Sequence, residues 1–199
     1  VRERSRRGSL MWLLDKTVTS MGGRLLRRWI DKPLTNRRQI EERLEAVRVL
    51  YHQLIVREEL RSMLKQVYDL QRLVGRISYG NANARDMLAL GKSLAQIPAI
   101  RRLCAESGSA TLSRLAETMD ECGDIREWID AAIADDPPVT LREGGLIRPG
   151  YHSYLDQLRE ASANGKRWIA ELEQKERERT GIKSLKIGYN KVFGYYIEV

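Results

Sequence analysis

Four side chains in this sequence are of the types most often used as nucleophiles, proton carriers or metal ligands: His52, His152, Cys104 and Cys122. A structural zinc site needs several such ligands at short spacing, and a nucleophile needs a base beside it. Cys104 and Cys122 are the only cysteines and neither has a CxxC partner, while the two histidines are equally isolated. They read as ordinary thiols packed among helices in a reducing compartment. No Ser/His/Asp or Cys/His set and no metal-ligand cluster is recognisable. Phosphate chemistry would need a loop of the form G-x-x-x-x-G-K-[ST]. Gly22-Gly23-Arg24 and Gly144-Gly145 do not supply it, since neither is followed by the lysine and hydroxyl that complete a phosphate cradle. Enzyme chemistry is therefore the weakest reading of these residues.

Charge is the next signal. The chain has 199 residues, 35 Lys/Arg against 27 Asp/Glu, and a net charge of +8. Residues 1–38 hold eleven Lys/Arg against Glu3, Asp15 and Asp31, whereas residues 109–143 hold nine acids against Arg114, Arg126 and Arg142. A basic balance suits nucleic acid, but it also suits a solvated helical surface. The cluster Arg2, Arg4, Arg6, Arg7, Arg24, Arg27, Arg28, Arg37 and Arg38 is read as facing acidic neighbours or solvent. No run approaches the ~20 apolar residues of a membrane span. Val1 opens the chain without a methionine or an apolar signal stretch, and Val199 falls inside an alternating segment. Both ends are expected to be cuts in a longer protein.

Helical periodicity dominates as far as residue 138. The stretch at residues 9–14, SLMWLL, is too short and apolar to type. After Ser20, a candidate N-cap, Met21, Leu25, Leu26, Trp29 and Ile30 recur at helical spacing until Pro33. Thr35 is the expected cap of a helix striped by Ile40, Leu44, Val47, Tyr51 and Leu54. Shorter helices are expected around Leu60 and Leu64, around Leu70–Ile77 with Asp69 as cap, and around Met87–Leu94 with Asn83 as cap. Pro98 suits a first helical position. Further helices carry Leu112–Met119 and Ile125–Ile133, the latter capped by Asp124, before Pro137-Pro138. Residues 139–150 predict a small extended or hairpin excursion.

The longest helix follows. Tyr151, Tyr154, Leu158, Ala161, Gly165, Trp168 and Leu172 keep a three-to-four spacing, residues 171–179 are almost entirely charged, and Gly181 sits where a C′ glycine belongs. Thirty residues would reach roughly 45 Å, so the element is expected to project with its charged end in solvent. Past Gly181 the period becomes two. Leu185 and Ile187, then Tyr195, Ile197 and Val199, alternate with polar or small residues, and Gly-Tyr-Asn-Lys supplies a turn. A β-hairpin at the end of a long helix is predicted. A lone hairpin is marginal, so its packing partner is expected beyond Val199.

Residues 185–199, LKIGYNKVFGYYIEV, closely resemble the start of the clamp domain in the MutS family of DNA mismatch repair proteins. Three further stretches resemble the family in order: residues 9–34 (SLMWLLDKTVTSMGGRLLRRWIDKPL), 68–94 (YDLQRLVGRISYGNANARDMLALGKSL) and 139–158 (VTLREGGLIRPGYHSYLDQL). The resemblance implies a mainly α fold: a helical core bundle at 1–150, an outgoing lever helix at 151–182, and at 183–199 the first strands of a truncated β clamp. An anti-recombination paralogue lacks that clamp, so GYNKVFGYYIEV implies the repair branch. The full protein would bind mismatched DNA and couple this to ATP binding and hydrolysis. The family's mismatch-reading Phe-x-Glu is not on this chain, because Phe193 is followed by Gly194 and Tyr195. ATP and Mg are accordingly expected only in a separate ATPase domain, with no cofactor in this segment.

The resemblance also implies contacts to the backbone of double-stranded DNA, which position a protein without reading sequence. On that basis Asn190 and Lys191 are the leading DNA-binding candidates, followed by Lys186 and Lys183. Lys191 offers a point charge, and Asn190 an amide donor on a residue tolerant of turns. Plainer readings stand beside these: a turn former for Asn190, a solvated strand face for Lys183 and Lys186, and strand packing for Tyr195 and Tyr196. Implied partners are a second MutS subunit and a downstream MutL-type repair protein, in the cytoplasm and with no membrane. The competing reading is a helical protein–protein interaction module that uses the striped long helix as its docking face. A basic β-tip is what that reading leaves unexplained.

Overall fold

The structure, a computed structural model, describes residues 8–192 and 194–199. The chain divides into two compact units, residues 1–148 and 149–199. The fold is mainly helical, with a two-stranded antiparallel hairpin at the C-terminal end.

The first unit runs α1 (Leu10–Leu14), α2 (Ser20–Asp31), α3 (Arg37–His52), α4 (Leu54–Leu64), α5 (Leu70–Ser78), α6 (Ala84–Leu94), α7 (Ile97–Glu106), α8 (Ala110–Glu117) and α9 (Gly123–Ala132). Most starts are set by a side chain that accepts an otherwise orphaned backbone N–H. Ser9, Thr19, Asn36, Asp69, Asn83 and Ser109 do this for α1, α2, α3, α5, α6 and α8. Asn83 and Asp86 cap each other reciprocally. Asp69 and Asn83 match expectation, whereas Thr19 and Asn36 replace the neighbouring Ser20 and Thr35. At α9 the cap position belongs to Cys122, held at φ 47°, and Asp124 lies inside the first turn. SLMWLL is helical because Ser9 accepts from the Trp12 N–H.

Two apolar clusters make the core. Val67, Ile100, Cys104, Leu112 and Ala116 form one, covered by Met21, Ala46, Leu50 and Leu60 among others. Leu73, Leu90, Leu94 and Ile129 form the second. The backbone of α6 can approach α9 because Gly91 has no side chain: a Cβ there would lie 3.2 Å from Ile129 Cγ2. Buried hydroxyls are satisfied. Ser93 Oγ donates to the Ala89 carbonyl (2.7 Å) and accepts from the Tyr68 N–H (2.9 Å). Ser109 Oγ donates to Glu45 Oε2 (2.7 Å), and that hydrogen bond holds the Glu45 carboxyl below its ordinary range. Burial pushes both thiols up, Cys104 within the first core cluster and Cys122 beside the second.

The stripe on α3 does not face this core. Ala46 and Leu50 do, while Leu44, Val47 and Tyr51 are 54%, 62% and 72% exposed. Leu54, the last member expected, starts α4 after the chain breaks at Gln53. The excursion at 139–150 reduces to a 3-10 turn at Leu141–Glu143 and one antiparallel bridge between Ile133 and Ile147. Asp135 and Arg148 pair beside it (2.8 Å).

The second unit is α10 (Ser153–Thr180) with β1 (Lys186–Asn190) and β2 (Gly194–Glu198). The 28 residues of α10 form one uninterrupted helix of about 42 Å. His152 caps its start through Nδ1, and Gly181 ends it in the left-handed conformation, φ 73°. Among the described residues of this unit only Leu185 is buried.

Candidate nucleic-acid interface

The hairpin positions the candidate residues. Its register pairs Lys186 with Glu198, Ile187 with Ile197, Gly188 with Tyr196, Tyr189 with Tyr195 and Asn190 with Gly194. Directly opposed side chains share a face. Lys186, Gly188 and Asn190 therefore lie on one face with Tyr196 and Glu198, and Ile187 and Tyr189 lie on the other with Tyr195 and Ile197. Tyr189 and Tyr195 meet edge to face at 5.1 Å. Tyr196 lies over Gly188, where a Cβ would come within 2.6 Å of its ring. Both C-terminal tyrosines thus pack within the hairpin, although each keeps an exposed edge.

The turn starts three residues later than Gly-Tyr-Asn-Lys suggests. Gly188, Tyr189 and Asn190 belong to β1, and the reversal begins at Lys191 and Val192. Phe193 lies outside the described residues. Gly194 re-enters the ladder at φ 77°, a value that L side chains rarely adopt. Asn190 closes the turn: its Oδ1 accepts the Val192 N–H at 2.8 Å. The plainer turn-former reading of Asn190 is thus realised, through its Oδ1, a bond that does not use its amide nitrogen. Lys191 is exposed beside it.

Lys183 and Lys186 sit elsewhere. Lys186 opens β1, four residues and about 13 Å from Asn190, and stands opposite Glu198. Lys183 lies in the turn between Gly181 and β1, not on a strand face. The structure therefore brings Asn190 and Lys191 together at the tip and leaves Lys183 and Lys186 at the base.

The charged end of α10, expected in solvent, holds two residues with partners on the segment that follows it. Glu173 Oε2 accepts the Ile187 N–H at 2.9 Å, and its Oε1 lies 2.6 Å from Arg177 Nη2. Arg177 Nε donates to the Leu185 carbonyl at 2.6 Å. Their i,i+4 spacing was visible in the sequence, but it is common to surface pairs and did not separate these two from Glu176 or Arg179.

The arginines of the N-terminal third are largely engaged. Arg24 makes a bidentate pair with Asp69 (2.6 and 2.7 Å) and reaches Gln71. The same contact lowers the Asp69 carboxyl below its usual range. Arg37 pairs with Glu41, Arg38 with Glu42, and Arg27 with Asp31. Arg2, Arg4, Arg6 and Arg7 lie outside the described residues. No described helix is long and apolar enough to cross a membrane. Gly22 and Gly23 lie inside the first turn of α2, and Gly144 and Gly145 follow the 3-10 turn at Leu141–Glu143.

In this chain a helical unit is followed by a long helix that ends in a β-hairpin, and the candidate DNA-binding residues lie on and just before that hairpin. Comparison with known proteins narrows this. Residues 1–186 match the family MutS domain III. Over all 199 residues the chain is 56% identical to the DNA mismatch repair protein MutS of Brevibacillus brevis, 55% to that of Bacillus licheniformis and 53% to that of Bacillus subtilis. This chain belongs to the MutS family. It spans 23% of the length of each of those relatives, and the match to them includes the hairpin beyond residue 186.

Proposed function

We propose that this chain is the core, outgoing lever and first clamp strands of a DNA mismatch repair protein, and that it carries conformational change between a nucleotide-driven region and the grip on DNA. Under this reading 1–150 is the core, 151–182 the lever and 183–199 the beginning of the clamp. The observation that carries the reading is the second unit: a single helix of 28 residues ending in a hairpin whose tip presents Asn190 and Lys191. A lever must be stiff along its length, and an unbroken α-helix is. A tip that meets phosphate needs donors held by a defined turn, and the Asn190–Val192 hydrogen bond defines one. Lys186 and Lys183 would add weaker contacts from the base.

ATP and Mg would act in another part of such a protein, and no nucleotide step is assigned to residues of this chain. A second subunit of the same kind, a MutL-type partner and a cytoplasmic setting belong to the same proposal. The exposed residues Tyr154, Leu158 and Trp168 favour a second reading, a helical protein-interaction module with α10 as the docking face.

The test is fluorescence anisotropy with matched and mismatched duplexes at low salt. The proposal expects weak binding, equal for the two duplexes and steeply reduced by added salt. Strong preference for the mismatch, or tight binding that survives high salt, would overturn it.

A further inference from the structure

We propose that Glu173 and Arg177 are positioning residues that lock the direction of the hairpin to the axis of α10. The inference rests on the clamp-and-lever reading above and names the joint that this reading requires. A stiff helix delivers motion to a hairpin only when the link between them does not swivel. The link here is residues 181–185, entered through Gly181 in a left-handed conformation and closed by one long backbone hydrogen bond of its own, from the Leu185 N–H to the Ile182 carbonyl at 3.3 Å.

Stiffness comes from two side chains one helical turn apart. Arg177 Nε takes the carbonyl of Leu185, Glu173 Oε2 takes the N–H of Ile187, and the two side chains join each other through Glu173 Oε1 and Arg177 Nη2. Leu185, the residue before β1, offers its carbonyl, and Ile187, the second residue of β1, offers its N–H; α10 holds both. An ordinary surface pair at i,i+4 would satisfy only itself. This pair satisfies backbone groups on another element, with charged partners whose hydrogen bonds are short and directional. Leu185, whose carbonyl is one of the two anchored groups, is itself buried, 3% exposed. Together these contacts fix both the position and the rotation of β1 about the end of the helix. The tip residues Asn190 and Lys191 inherit that aim through the register of the ladder.

Residual dipolar couplings on the 199-residue chain test the joint without DNA. The wild-type chain is expected to show one alignment tensor for residues 168–180 and 186–198. In Arg177→Gln and in Glu173→Ala the hairpin couplings should still fit the β1–β2 ladder, but with a tensor reduced about twofold relative to the helix, because the directional charged bonds are gone. Glu173→Gln, which keeps an acceptor for the Ile187 N–H, should retain more of the shared alignment than Glu173→Ala. A single tensor preserved in both Arg177→Gln and Glu173→Ala would overturn the proposal. So would loss of the ladder itself in both, which would make the pair a folding requirement instead of an aiming device. A duplex titration adds an independent arm. Arg177→Gln should lower affinity about threefold with an unchanged salt dependence, since the slope counts the cations on phosphate. A reduced slope would make Arg177 a phosphate contact and overturn its assignment as a positioning residue. If no form of the chain binds duplex, the functional reading fails while the dipolar result still decides the joint.

Discussion

The two units of this chain hold themselves together by different means. The first unit buries Ile100, Cys104, Ala116 and Ile129 in two apolar clusters and satisfies its buried serine hydroxyls internally. The second unit buries only Leu185 among its described residues, and α10 has no buried position along its whole length. Its order depends instead on backbone hydrogen bonds within the helix, end caps at His152 and Gly181, and the charged contacts made by Glu173 and Arg177. A core built by burial resists deformation everywhere at once, whereas an element built on caps and anchors can move as a body. That is the property a lever needs.

The sharpest way to break this comparison is by truncating side chains. Ile100→Ala should destabilise the first unit by about 3 kcal/mol, from lost transfer energy and the cavity left behind. Leu158→Ala on α10, half-exposed, should cost less than ~0.5 kcal/mol. Urea denaturation of the two variants measures the contrast, and similar costs would erase it. Leu185→Ala should be the exception in the second unit, costing that unit about 2 kcal/mol. Hydrogen exchange should show this as lost protection of the β1–β2 amides, with the amides of α6 and α9 unaffected.

A smaller effect distinguishes tip from base. Lys191→Ala should lower the slope of log affinity against log salt by about 0.9, the value for one phosphate contact. Lys186→Ala should change it less, because Glu198 stands opposite Lys186 in the ladder. Equal slopes for the two variants would remove the distinction. The smallest effect concerns acid stability of the first unit. Arg24 holds the Asp69 carboxyl below its ordinary value of 3.8. A lowered folded-state value means that this contribution is complete above that pH, and is lost as pH falls through the lowered value. Asp69→Asn should flatten the stability profile in that acid window and nowhere else.

Much of this was legible from residue spacing. The helices of residues 70–94, the long helix closed by Gly181 and the hairpin after it all carry local signals: Asp69, Asn83, a C′ glycine, and a change of period from 3.6 to 2. Local signals failed where two neighbours compete for one role. Ser20 and Thr19 both suit an N-cap, as do Thr35 and Asn36, and geometry beyond the sequence chooses between them. The stripe Ile40, Leu44, Val47 and Tyr51 marks an amphipathic helix correctly, yet its core-facing side is Ala46 and Leu50. Periodicity reports that a helix has an apolar face, not what covers it. The candidate site was legible at its tip, where turn chemistry is local. Its anchor was not, because the hydrogen bond from Ile187 to Glu173 spans 14 residues and leaves no periodic trace.

The most direct measurement is a nuclear magnetic resonance titration of the 199-residue chain with a short duplex at low salt. The account predicts the largest amide shift changes at Asn190, Lys191 and Val192, smaller ones at Lys183 and Lys186, and silence along α2 and α3. Changes that appear first at Arg24, Arg28 or Arg37, with the hairpin tip unmoved, would contradict it.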